Sequence, residues 1–110
     1  MNRSLNSLEK MILAYLSREA KLDIGPLNRI SVFVVDEEYR SIRSAKLKHH
    51  ESLRSVAECQ FTDDDGVPVA VIMLLDKDDN FGELVFWKGD GTLIKSMPES
   101  DSSLHSFELR

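Results

Sequence analysis

Seven apolar residues in an unbroken row, Val69 to Leu75, form the densest hydrophobic stretch of the chain. The run is too short to span a membrane and too rich in β-branched side chains to favour a helix, so it reads as a strand. A polar, acidic turn follows over 76–82, and Glu83 to Trp87 resumes the extended pattern. Together they predict a β-hairpin whose first strand is covered on both faces and lies mid-sheet.

The flanking segments are patterned as well. Leu5, Leu8, Ile12, Tyr15 and Leu16 recur at helical spacing, and Met11 and Leu13 widen the stripe. Asn6 followed by Glu9 suits a capping box, with Ser4 an alternative cap, and Gly25-Pro26 requires the helix to stop near Lys21. Ile30 to Val35 predicts a short strand that Asp36-Glu37-Glu38 breaks. Ile42, Ala45 and Leu47 within 39–48 fit a strand better than a short helix, and 49–52 reads as a loop. Ser55 to Thr62 alternates, with Ala57, Cys59 and Phe61 on one side, as a half-buried strand does. Asp63-Asp64-Asp65-Gly66 and Gly89-Asp90-Gly91 read as turns, and Thr92 to Met97 as a last short strand. The Ser-rich end has only Leu104 and Phe107 able to dock. The expectation is an α+β fold: an N-terminal helix packed on one face of a four- to five-stranded, mainly antiparallel sheet. Residues 1–97 form the single domain and 98–110 a flexible tail.

Composition narrows the function classes. A chain of 110 residues with 42% apolar and 30% charged residues can build one core without disulfides or metal. One cysteine and a start that lacks a continuous apolar leader fit a cytoplasmic protein with no membrane segment. The net charge of −5 argues against nucleic acid as a direct ligand. It is also uneven. Residues 40–54 carry five basic side chains and one acid, a local +4, which leaves −9 for the remainder. The acids gather at 36–38, 63–65 and 76–79.

No reaction chemistry is visible. Asp76, Asp78 and Asn80 match the first ligand positions of an EF-hand loop, but Phe81 and Trp87 stand where that loop needs glycine and a bidentate glutamate. His49 and His50 are adjacent on an extended segment and so point apart, a poor chelating pair. Cys59 lies on the apolar side of its strand with no base nearby. Phosphate loops and the common hydrolase and zinc motifs are missing. The reading is a protein that is not an enzyme, with no cofactor and no metal. Trp87, the one tryptophan, is either a packing residue or an interface anchor.

Residues 57–98 carry a resemblance. Asp65-Gly66-Val67, Asp76-Lys77, Glu83-Leu84, Trp87-Lys88 and Asp90 resemble the pattern of a family of small, uncharacterised bacterial domains. The family pattern leads one to expect a Gly-rich segment after the first strand; this chain has 37–42, EEYRSI, there. Such domains are similar in size and charge to immunity proteins, the inhibitors bacteria make against secreted toxins. The resemblance implies fold more than function. Together with the charge, it leads to the expectation of an acidic immunity protein, monomeric when free, that covers the active cleft of a cognate toxin, a basic nuclease. The alternative is a small-ligand or regulatory binding domain. The expected contact residues are Asp36, Glu37, Glu38, Asp63, Asp64, Asp65, Asp76, Asp78 and Asp79, with Tyr39, Phe81 and Trp87 as aromatic anchors.

Overall fold

The computed structural model describes residues 2–47 and 51–106. His49, His50 and Phe107 lie outside the described residues. Helix α1 spans Ser7–Ala20. The expected capping box is present: the Asn6 side chain accepts from the Glu9 amide at 2.8 Å, and the Glu9 carboxylate accepts from the Asn6 amide at 2.9 Å. Arg3 completes this cap with paired bonds of 2.7 and 2.8 Å to the same carboxylate, which explains how Glu9 can be buried. The helix ends at Lys21 in the left-handed conformation, where the amides of Lys21 and Leu22 close back on Arg18 and Ser17.

Seven strands form one antiparallel sheet: β1 Arg3–Ser4, β2 Ser31–Asp36, β3 Ser41–Ser44, β4 Arg54–Thr62, β5 Pro68–Leu75, β6 Phe81–Lys88 and β7 His105–Ser106. Their order is β1-β2-β3-β6-β5-β4-β7. The five longer strands are the expected ones, and two dipeptide strands extend the edges. The sheet is not a simple meander. β4, β5 and β6 follow one another, but β3 pairs with β6 through only two residue pairs, Ile42 with Leu84 and Arg43 with Glu83. The nine residues between β3 and β4 give the chain the length to cross to the far side of β5.

One face of the sheet holds the core. Val32, Ile42, Cys59, Val69, Val71, Met73, Leu75 and Leu84 are fully buried there, and Ile12, Leu13 and Leu16 of the helix meet them. Among the described residues no helix lies over the other face. Phe33, Arg43, Glu58, Gln60, Ala70, Ile72, Leu74, Glu83 and Val85 alternate with the core positions and are half-buried, and Trp87 is exposed. This corrects the expectation that β5 is covered on both sides. The strand does lie inside the sheet, but its hydrophobic run serves a core face and an open apolar face.

Two further expectations change. Residues 92–97 form no strand, because the amides of Lys95 and Ser96 are taken by the Asp63 carboxylate instead of a ladder. The presumed tail is docked as far as Ser106. Pro98 and Leu104 are buried, Asp101–Ser103 forms a 3-10 turn, and His105–Ser106 pairs with Cys59 and Gln60. A few apolar anchors suffice for this in a segment too polar to show a pattern.

The two faces should differ in measured stability. Leu84→Ala is expected to cost about 2–5 kcal/mol, and Val85→Ala, one place along on the open face, less than about half of that. Urea unfolding of the two variants checks this; equal losses would mean that the outer face is packed as tightly as the inner.

Candidate functional site

The strand alternation that turns Leu84 and Phe86 inward also turns Lys88 inward, and its side chain has no exposure to solvent. A buried ammonium has three protons to satisfy. Its partners are Asp65 Oδ2 at 2.6 Å, Asp63 Oδ2 at 2.8 Å and the Leu93 carbonyl at 3.0 Å. Asp63 is equally enclosed. Its carboxylate also accepts from the amides of Asp64 at 2.7 Å, Lys95 at 2.8 Å and Ser96 at 3.0 Å, and from the Ser96 hydroxyl at 3.1 Å. Gly66, with a φ of 81°, closes the turn that brings both aspartates to the lysine.

Burial opposes the charge on Asp63. The hydrogen bonds from Lys88, the surrounding amides and Ser96 outweigh it and hold the carboxyl well below the usual range. The bond from Lys88 chiefly lowers Asp65 as well. Lys88 loses solvation but is raised by its two anionic partners. The cluster is thus charged at neutral pH, and each proton of the ammonium meets an acceptor. Cys59 is inert, because burial pushes its thiol up to about 12.

The acidic groups expected to form one contact surface do not. Successive turns of an antiparallel meander lie at opposite ends, so the turn at 76–80 is separated from that at 63–67 by the length of β5, about 25 Å. The β2–β3 turn falls at the 63–67 end, where the Tyr39 hydroxyl donates to the Gly91 carbonyl at 2.8 Å. Several expected contact residues are engaged within the fold. Asp63 is buried, Asp65 holds Lys88, and Phe81 is a core residue 4% exposed. Asp36 and Asp76 accept from the amides of their own turns, and Asp79 pairs with Arg54. Asp78 is exposed, but at the far end.

Glu37, Glu38, Asp64 and Trp87 remain outward at the near end, where Asp90 joins them. Trp87 is 60% exposed on the uncovered face, one strand from Ala70. Val35 and Leu93 are also exposed at this end, at 51% and 54%. Neither was expected from the pattern: Val35 is the extra residue of a bulge between Val34 and Asp36, and Leu93 lies beyond the last strand. The role of Lys88 was legible in principle, since a lysine at an inward strand position demands a buried anion. Among the described residues no group of His, Cys, Asp and Glu is arranged to hold a metal ion, and no helix is long and apolar enough to cross a membrane.

Among the described residues, one α-helix on one face of an antiparallel sheet, with the other face open and a charged cluster locking one end, defines a small α+β domain. The chain belongs to the family described as Domain of unknown function (DUF6984), which matches residues 2–98 and so takes in the helix and the first strands as well as the C-terminal half. No curated protein and no solved structure matches it.

Removing the cation should expose the dependence on this cluster. Lys88→Met leaves the enclosed Asp63 carboxylate without its cation, while Asp65 keeps only the longer pair with Lys95 at 3.9 Å, and is expected to lower Tm at pH 7 by more than about 10 °C. The lowered aspartates contribute stability that is complete above the unfolded value near pH 3.9 and is lost as pH falls through their folded values. The raised Lys88 contributes until pH climbs through its folded value in the alkaline range. The gap in Tm between wild type and Lys88→Met should therefore be widest near neutrality and shrink below about pH 4. Thermal scans across pH measure it; a gap independent of pH would remove the charge argument.

Proposed function

We propose that this chain is a protein-binding inhibitor of the immunity type, which neutralises a secreted toxin domain by pressing its uncovered sheet face and acidic end against it. One observation carries this reading. Trp87 stands 60% exposed beside Ala70, Ile72 and Val85 on a sheet face that no element among the described residues covers, at the end of the molecule where Glu37, Glu38, Asp64 and Asp90 are exposed. Exposed tryptophans flanked by apolar area are the residues on which binding energy concentrates. Acids around such an anchor favour a basic partner, and the active cleft of a nuclease is basic because it holds phosphates. Association would be steered by the acidic end and held by burial of Trp87, Val85 and Ile72. The contact surface is narrower than the sequence led one to expect: it leaves out Asp36, Tyr39, Asp63, Asp65, Asp76, Asp78, Asp79 and Phe81.

The competing idea, a small-ligand domain with its pocket between helix and sheet, has less support. The cavity there is about 210 Å³, below the range of about 300–1,000 Å³ in which small-molecule sites fall. Clefts of about 320 Å³ beside Ile30 and Phe81 and about 430 Å³ beside Phe61 and Ser96 reach that range, but their linings are more polar and neither lies between helix and sheet.

The test is growth rescue in a bacterial host that expresses the toxin domain encoded beside this chain's gene. Co-expression of wild type should restore growth. Trp87→Ala is expected to weaken binding by about 30-fold or more. Asp64→Lys combined with Glu38→Lys should slow association and flatten its salt dependence while leaving Tm near wild type. A neighbouring gene that encodes no toxin, or a toxin that still kills in the presence of this chain, would end the proposal.

A further inference from the structure

Among the described residues the outer edge of β2 is covered for only part of its length. β1 contributes two residues, paired with Ser31 and Val32, whereas β2 runs on to Asp36. Among the described residues no strand lies beside 33–36 on that side. Val34 and Val35 are 37% and 51% exposed there. Natural sheets usually blunt such an edge with lysine, proline or a covering element.

A cavity adjoins the same stretch. Val34, Leu8, Phe86 and Met97 give it apolar walls, and Glu37 and Arg40 of the β2–β3 turn stand at its margin. Its volume of about 210 Å³ suits one large aliphatic side chain. Residues directly opposite one another on paired strands share a face, so a residue laid across from Val34 would project on the cavity side. In the antiparallel sense that β1 already uses, residues preceding it would lie across from Asp36 and the turn. Glu37 and Glu38 are exposed there with Arg40, which leaves the turn a net negative charge, while Arg3 is occupied by Glu9.

We propose that the free edge of β2 accepts an extended peptide segment of a partner protein as an added strand, with a large aliphatic side chain in the cavity beside Val34 and a Lys or Arg against Glu37 and Glu38. Main-chain bonds supply affinity in this mode and the pocket supplies selectivity. A second copy of the chain suits the edge poorly. Pairing two β2 edges about Val34 sets Val32 of each across from Asp36 of the other, where β1 already stands. The site is separate from the outer sheet face, so it stands or falls independently of the inhibitor reading.

The probe is the blocked peptide acetyl-Thr-Lys-Lys-Val-Leu-Thr-amide, titrated to about 1 mM against isotope-labelled protein, a concentration suited to single-strand additions that bind weakly. The expected result is saturable shifts at the amides of 33–36 and at the side chains of Val34, Leu8 and Met97. Replacing the leucine by alanine, replacing both lysines by glutamate, or using Val34→Lys protein should each weaken binding at least about tenfold. Because alternate amides of an added strand face its neighbour, peptides N-methylated on alternate residues should behave oppositely, one binding and one not. Absence of shifts, equal binding by both N-methylated peptides, or shifts centred on Ile72, Val85 and Trp87 would overturn the proposal. So would dimerisation that Val34→Lys abolishes, or Asn2 found paired with Phe33 in the free protein, since either means that the edge is filled by this chain itself.

Discussion

An ammonium shut away from water must be met by anions, and one whole end of this molecule follows from that requirement. Lys88 faces inward because the strand's period leaves it no other direction, and the turn between β4 and β5 answers with Asp63 and Asp65. Asp63 then has lone pairs to spare, and it takes the amides of Lys95 and Ser96. The segment after β6 is thereby held across the end of the core, where Ile94 is buried. Such a group of charges adds little net stability over an apolar filling of the same volume. What it supplies is arrangement: three segments distant in sequence have one mutual position that leaves no charge unpaired.

Where one face of an element was apolar, the sequence was readable; where position depended on a distant polar partner, it was not. The helix, its Asn6–Glu9 cap and the five longer strands follow from spacing, since each has a hydrophobic period that matches its own geometry. The pairing of β3 with β6 does not, because nothing local in Ser41–Ser44 chooses between neighbours. Nor does the fate of 92–97, whose β-like composition lost to a carboxylate contributed from some thirty residues earlier. The open face escaped notice because an unbroken apolar run looks the same whether both sides of a strand are covered or only one. Among the expected site residues, Trp87, Glu37, Glu38 and Asp64 are where a partner could reach them, and Asp63 and Phe81 are not.

Charge is distributed along the strand direction of the sheet. The end formed by the turns at 36–40, 63–67 and 89–91 is acidic, whereas the opposite end mixes the acids of 76–79 with basic side chains such as Arg54, and the two meet there in an ion pair. A molecule charged in this way presents one end preferentially to a basic surface, and its exposed apolar residues, Trp87, Val35 and Leu93, collect at that end. Steering and anchoring are therefore colocated, which neither the net charge nor the count of acids conveys.

The join between β3 and β6 has a consequence for dynamics. Two residue pairs, a bond from the Phe86 amide to the Ser41 hydroxyl and the Arg43–Glu83 ion pair tie the strands across it, against long ladders on either side of β5. The hairpin of β2 and β3 is thus fastened to a more extensive three-stranded block by a narrow seam. Opening along that seam breaks few bonds, so amide hydrogens of the hairpin can exchange with solvent through a partial unfolding that spares those of β5. The strand edge at 33–36 is thus carried by the hairpin that this narrow seam joins to the rest of the sheet.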